Sequence, residues 1–221
     1  MPVSPSTRLF LVRHGEVDSN REMRYLGRTD EPLNGVGRRQ AAALAGAFGS
    51  IAIDALWSSP LCRTVATAEA IADATGAAIR IDRRLTELDF GSWEGLTRHQ
   101  ARNISPEHRE RVRSWEADPA IRTPDGESLA ELQSRVLAAT GDIVTECPGA
   151  SVVIVTHMGP VKVLLCAALG LPLERTRRIF LDPATISVVD WGTEPVVRLI
   201  NGHGHMGFDQ ARWMERPSSA D

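Results

Sequence analysis

Val152-Val153-Ile154-Val155-Thr156-His157-Met158-Gly159 is an unbroken β-branched run that ends in a polar residue, a histidine and a turn. A strand with one wet face alternates apolar and polar residues, so this run predicts a strand buried on both faces, as in a parallel sheet covered by helices. The same figure stands near the amino terminus, where Leu9-Phe10-Leu11-Val12 gives way to Arg13-His14-Gly15-Glu16. In an α/β fold ligands gather at the carboxyl ends of strands, and Gly15 lets the backbone turn close to a ligand. Taken alone, Arg-His-Gly fits a strand-end histidine beside a surface arginine equally well. A third strand end, Ser58-Ser59-Pro60 followed by Arg63, tips the balance, because a parallel sheet brings such ends to one rim.

The remaining elements follow outward from these strands. The first strand spans about Arg8 to Arg13, a long polar loop runs from Glu16 to Pro32, and an Ala-rich helix covers about Gly37 to Phe48. A strand around Asp54 to Trp57 precedes an amphipathic helix marked by Leu61, Val65, Ala68 and Ala72 and stopped at Gly76. After a short strand near Ala78 to Ile81, the Arg- and Trp-rich stretch from Leu85 to Pro124 has weak periodicity. Ser128 and Glu131 form a capping box for a helix with the stripe Leu129, Leu132, Val136, Ala139 and Ile143. A helix reaching about Leu169 follows the Val152 strand, and strands at Ile186 to Trp191 and Val196 to Ile200 predict a hairpin at the sheet edge. The expected fold is a three-layer α/β/α sandwich with a mainly parallel central sheet and an antiparallel edge. It forms one domain over residues 1–221, with a lid-like insertion around 97–124 and a polar tail after 201.

The chain has 221 residues, 43% of them hydrophobic, and a formal net charge of −3, which offers no general attraction to nucleic acid or an anionic membrane. Any anion site must therefore be a local cluster of cations. No apolar stretch approaches the ~20 residues of a membrane span, and MPVSPSTRLF lacks the features of a secretory signal, so a cytoplasmic location is expected. Cys62, Cys147 and Cys166 have no metal-type spacing and fit reduced thiols. His203 and His205 lack a third ligand at metal-binding spacing, so neither a metal nor another cofactor is expected.

These residue types point to phosphoryl chemistry. The guanidinium fork matches two phosphoryl oxygens, which makes Arg13 and Arg63 the clamps, and Arg63 also lies at a helix start that favours anions. His14 is the candidate nucleophile, kept a free base by neighbouring arginines, and His157 is the candidate stabiliser of transition-state charge. Expulsion of an alkoxide needs a proton donor, for which Glu87, Asp89 and Glu94 are the candidates.

Arg13-His14-Gly15-Glu16 with Asn20; Ser58-Ser59-Pro60-Leu61 with Arg63 and Thr64; Leu85, Glu87, Phe90, Gly91, Trp93, Glu94 and Gly95; and Thr156, His157 and Gly159 stand in a familiar order. From residue 8 to about 200 the chain resembles the phosphoglycerate mutase-like branch of the histidine phosphatase superfamily. The resemblance implies that His14 is phosphorylated and that Arg13, Arg63 and His157 bind the phosphoryl group. It also implies that Glu87, rather than Asp89 or Glu94, is the proton donor and then the base for water. Asn20, Gly27 and the backbone at Met158 and Gly159 are implied to touch phosphate or substrate, and no metal is implied.

Two departures bear on activity. Val17 stands where family members often carry a hydroxyl, and the stretch from Thr97 to Pro124 lacks the tyrosine and paired arginines of the mutase cover. The single tyrosine, Tyr25, lies elsewhere in the sequence, and the long mutase-type tail is missing. The stretch Pro124-Asp125-Gly126-Glu127-Ser128 is similar to that of small bacterial phosphatases such as α-ribazole phosphatases and broad-specificity phosphoglycerate-type phosphatases. The expected activity is metal-independent hydrolysis of a small phosphorylated metabolite. Phosphoglycerate mutase and a non-catalytic phospholigand module are the alternatives, and a homodimer is a further expectation. Arg109, Arg111 and Arg113 read as a solvated helix face, and Trp93 and Trp115 as packing residues.

Overall fold

Six strands form one sheet in the computed structural model of the protein, which describes residues 6–208 and 211–212. In chain order the elements are β1 (Thr7–Arg13), α1 (Asp18–Arg21), α2 (Gly35–Phe48), β2 (Ala55–Ser58), α3 (Cys62–Thr75), β3 (Ile79–Ile81), α4 (Arg98–Arg102), α5 (Pro106–Ala117), α6 (Leu129–Glu146), β4 (Ser151–Thr156), α7 (Met158–Ala168), β5 (Ile186–Trp191) and β6 (Val196–Gly202). Short 3-10 turns cover Arg83–Leu85, Gly91–Trp93 and Leu173–Arg178. The strand order is β3-β2-β4-β1-β5-β6, with β3, β2, β4 and β1 parallel and β5 antiparallel to both β1 and β6.

Alternation along the strands divides the core into two layers. Leu9, Leu11, Val152, Ile154 and Val189 face α6 and α7, whereas Phe10, Val12, Leu56, Val153 and Val155 face α2 and α3. The helix after β1 therefore packs on one face and the helix after β4 on the other, although β1 and β4 are neighbours. Such a reversal opens a crevice beyond the carboxyl ends of the two strands, the usual ligand position in open α/β sheets. His14 and His157 are the residues that directly follow β1 and β4.

Several elements differ from the sequence expectation. The loop from Glu16 to Pro32 contains α1, a four-residue turn of helix. The weakly periodic stretch resolves into α4 and α5, which start at Thr97 and Ser105, whose side chains accept backbone bonds from Gln100 and His108. The α5 helix has so little apolar surface that only Val112 is buried, which explains its faint pattern. Trp93 is fully buried against Ala101 and Val112, so it is a packing residue as expected. The antiparallel hairpin is present, with β6 reaching Gly202. Residues 1–5 of the amino-terminal stretch, and the tail at 209–210 and 213–221, lie outside the described residues.

A close backbone approach fixes how β1 leads into the crevice. Gly37, in the first turn of α2, is pressed against Glu16, and a Cβ there would overlap the Glu16 carbonyl. Gly46, in the same helix, has no atom within 4 Å of where its Cβ would stand. Gly37→Ala is expected to destabilise the protein by about 1–3 kcal/mol through overpacking. Gly46→Ala is expected to stabilise it by about 0.5–1 kcal/mol through helix propensity. Chemical denaturation of the two variants checks both signs, and equal effects would refute the packing account.

Candidate active site

His14 leaves β1 into the crevice with 3% of its surface exposed, and its Nδ1 lies 2.7 Å from the Gly15 carbonyl. A carbonyl oxygen only accepts, so Nδ1 carries the proton and Nε2 keeps its lone pair. Burial first, and then the charges of Arg63 and Arg13, hold this imidazole well below its ordinary value of 6.5. The arginines alone were the expected cause, but desolvation is the larger one. The ring packs edge-on against His157 with centroids 5.1 Å apart.

Arg13 and Arg63 flank this pair. An Arg13 terminal nitrogen donates to the Leu181 carbonyl at 2.7 Å, and those of Arg63 donate to the carbonyls of Gly27 at 2.7 Å and Thr29 at 2.8 Å. Both Nε atoms are buried without a partner. Burial lowers Arg13 to about 10 and also lowers Arg63, with Glu87 opposing in each case. The α3 amino terminus adds less to the anion site than its sequence implied. Its Cys62 amide donates to Asp30 at 2.7 Å, and the Thr64 and Val65 amides donate to the Leu61 carbonyl. The Cys62 thiol is raised to about 11, chiefly by burial, as a neutral packing residue requires.

His157 is fully buried, with Nε2 2.8 Å from the Ser59 hydroxyl and Nδ1 unpartnered. Burial and then Arg63 hold it well below 6.5, so any stabilising role falls to a neutral hydrogen-bonding ring. The role of Ser59 was missed. Its strand-end position was visible in the sequence, but its partner lies 98 residues away.

Glu87 is 6% exposed, and both its carboxylate oxygens lie 3.1 Å from the Gly159 amide, with Oε1 also accepting from the Leu88 amide at 2.8 Å. A Cβ at Gly159 would overlap this carboxylate, so the glycine admits the acid to the start of α7. Burial raises Glu87 above its ordinary value despite the opposing amides and arginines. Its backbone is held by Arg135, which donates to the carbonyls of Arg84 (2.7 Å), Thr86 (2.8 Å) and Glu87 (2.8 Å) and pairs with Glu127 at 2.7 Å. Nothing in the polar spacing of α6 marked Arg135. The rival carboxylates are engaged elsewhere: Asp89 pairs with Arg28 at 3.2 Å, and Glu94 accepts from the Arg28 and Thr29 amides at 2.6 and 2.8 Å.

The other expected contacts divide. Asn20 caps α1, its Oδ1 accepting from the Val17 amide at 3.3 Å, while Val17 is buried against Leu33 and Ala41. Gly27 presents its carbonyl to Arg63, and the Gly159 amide is taken by Glu87, so both act through another side chain. Met158 lines a pocket of about 400 Å³ that opens beside Glu87. Tyr25 and Trp115 line the same pocket, so the fold carries the tyrosine back to the site from which its sequence position had removed it. Arg109, Arg111 and Arg113 are exposed and line no part of it. His203 bonds Asp182 at 2.7 Å and His205 the Ala184 carbonyl at 2.8 Å, which accounts for that pair without a metal.

The crevice thus gathers an imidazole nitrogen that keeps its lone pair, three buried nitrogens without partners among the described residues and a carboxyl group that burial raises above its ordinary value. That set can hold a tetrahedral anion against an attacking nitrogen and supply a proton to what leaves. Comparison with known proteins bears on the same crevice. A bifunctional protein of Mycobacterium tuberculosis, Rv2228c, is 38% identical over 205 residues, covering 90% of this chain and 55% of that protein, so the chain spans about half the length of that relative. A probable phosphoglycerate mutase, GpmB, from Enterobacter sp. is 37% identical over 85% of this chain and 86% of its own. Among solved structures, YhfR of Bacillus stearothermophilus superposes with a TM-score of 0.83 at 29% identity, over 91% of this chain and all of that one. The mycobacterial glucosyl-3-phosphoglycerate phosphatase Rv2419c gives 0.79 at 28% identity, over 88% of this chain and 98% of that one. The family model that matches residues 9–201, across every strand and every site residue described above, is that of the histidine phosphatase superfamily, branch 1, and the chain belongs to that family.

Proposed function

We propose that the protein is a metal-independent phosphomonoesterase that hydrolyses a small phosphorylated metabolite through a phosphohistidine on His14. The observation that carries this reading is the tautomer of His14: with Nδ1 committed to the Gly15 carbonyl, Nε2 is a free base inside a buried cationic crevice. Arg13 Nε, Arg63 Nε and His157 Nδ1, all unpartnered, are the donors offered to the phosphoryl oxygens. For His157 this requires that the Ser59 hydroxyl donate to Nε2, which leaves the ring proton on Nδ1.

The reaction has two displacements. The lone pair of His14 Nε2 attacks phosphorus, the bond from phosphorus to the ester oxygen breaks, and that oxygen takes the Glu87 proton to leave as an alcohol. Glu87, now a carboxylate, accepts a proton from water as the water oxygen attacks phosphorus. The N–P bond then breaks back onto Nε2, giving inorganic phosphate and restoring the protonated acid. A bound dianion offsets the charges of Arg13 and Arg63, the groups that pull Glu87 downward, and so holds the acid protonated for the first step. In this loose kind of transfer, catalysis rests on positioning and charge stabilisation.

The mutase alternative draws on the GpmB relative and on Tyr25 standing in the pocket wall. Hydrolysis is favoured because the segment that would cover a phosphoenzyme is the short, polar α4–α5 pair. Incubation with 3-phosphoglycerate distinguishes them: net phosphate release is expected, and conversion to 2-phosphoglycerate without release overturns the hydrolase.

Phosphate release from glycerol 3-phosphate is expected to survive a chelator and to be lost in His14→Ala, with acid-labile phosphoprotein detected only when His14 is present. Retained turnover in His14→Ala would falsify the covalent route. Glu87→Gln is expected to slow glycerol 3-phosphate hydrolysis by about 10²–10⁴-fold, and the burst of nitrophenolate released as 4-nitrophenyl phosphate phosphorylates His14 much less, since nitrophenolate leaves without a proton. Activity on glycerol 3-phosphate should fall at low pH as His14 gains a proton and at high pH as Glu87 loses one, and Glu87→Gln should remove the alkaline limb. A nitrophenolate burst slowed as much as glycerol 3-phosphate hydrolysis would assign the acid to another group.

A further inference from the structure

The 400 Å³ pocket beside Glu87 has a mixed character that bears on the leaving group. Its walls include the aromatic rings of Tyr25, Phe90 and Trp115 and the side chain of Leu129, with Lys162 among them. Lys162 lies three residues after Gly159 and four after Met158 on α7, so it shares the helix face that meets Glu87. It is half-buried and forms no hydrogen bond or ion pair among the described residues.

The other charges of this wall are compensated. Glu116 pairs with Arg98 at 2.6 Å, Arg102 at 3.7 Å and Arg177 at 3.8 Å, and Arg177 also stacks 5.0 Å from the Trp115 ring centre. Lys162 is thus a half-buried cation in the wall of this mixed pocket with no carboxylate bonded to it among the described residues, an arrangement that costs free energy until an anion arrives.

We propose that Lys162 is a specificity-determining residue that reads an anionic substituent on the leaving group, so that the pocket selects phosphomonoesters of flat, largely apolar alcohols bearing a carboxylate. This inference rests on the phosphohydrolase reading. The rings supply the flat apolar surface, and the ammonium shares the α7 face that meets Glu87. Burial first, and then Arg13 and Arg177, lower Lys162 to about 8, with Glu87 and Cys166 opposing. Lys162 is therefore predominantly charged at neutral pH and loses its charge above 8, while an approaching anion raises it.

The test uses 4-carboxyphenyl phosphate and phenyl phosphate, which share the phosphoryl group and the ring and differ in the anion. For the unmodified protein, the ratio of kcat/KM for the carboxylated over the plain ester should fall as pH rises from 7 to 9, because groups common to both substrates cancel. Lys162→Met should lower this ratio at pH 7 by about tenfold or more, the scale expected for a partly desolvated ion pair. Lys162→Arg should keep the ratio and make it independent of pH in that range. A ratio unchanged within twofold in Lys162→Met, or a pH dependence retained in Lys162→Arg, overturns the assignment while the hydrolase stands. Absence of His14-dependent turnover of phenyl phosphate by the unmodified protein overturns the hydrolase reading, and this assignment with it.

Discussion

Two guanidinium groups buried at the end of a sheet impose the constraint that organises this molecule. Arg63 is fully buried and Arg13 is 8% exposed, and neither has a carboxylate in direct contact. A charge taken out of water must be bonded or it is expelled, and here backbone carbonyls do the bonding. Leu181 serves Arg13, and Gly27 and Thr29 serve Arg63. The loop after α1 and the segment before β5 are therefore shaped by the cations they hold. Carbonyls contribute partial charge only, so each arginine keeps most of its field and a buried Nε without a partner among the described residues. A carboxylate in their place would have neutralised the site it was meant to stabilise.

The same cluster sets the state of every titratable group near it. His14 and His157 are held neutral by burial and by the arginines together, whereas in Glu87 burial and the arginines oppose each other and burial prevails. The crevice thus contains a free-base imidazole and a carboxyl group raised above its ordinary value. In the proposed reaction an incoming dianion would shift this balance further, because it offsets the arginine field that opposes the raised value of Glu87. Substrate binding and acid protonation would then be coupled through Arg13 and Arg63, neither of which bonds the carboxyl group among the described residues.

Much of the fold was legible because its signals were local. The run Val152 to Val155 marked β4, the Ser128 and Glu131 pair marked the start of α6, and the strand ends placed His14 and His157 on one rim. Glu87 was separable from Asp89 and Glu94 only through the resemblance, since all three lie in one stretch without periodicity. What distinguishes their surroundings is long-range: Gly159 lies 72 residues from Glu87, and Arg28 and Thr29 lie on a different loop from Asp89 and Glu94. Arg135 and Ser59 were not legible as support for the same reason. Their partners are backbone carbonyls and a ring brought near by the fold, and neither leaves a trace in residue spacing. Tyr25 shows the reverse error, in which distance along the chain was taken for distance in space.

The division between these outcomes follows the division of labour in the site. In the proposed reaction, attack on phosphorus depends on residues at strand ends, which the sheet positions and the sequence announces. The pocket wall proposed to receive the leaving group draws on α4, α5, the turn Leu173–Arg178 and one face of α7, elements of weak pattern joined by ion pairs such as Glu116 with Arg98 and Arg177. The strand-end machinery tolerates little change, because Gly159 admits Glu87 only without a Cβ and Gly37 admits the β1 loop only on the same terms. The cover has no such backbone interlock, and half-exposed ion pairs hold its parts together at little cost to exchange. A fold built this way can keep one way of breaking a phosphate ester while the alcohol it releases is set by a few side chains in the wall, of which Lys162 carries the uncompensated charge.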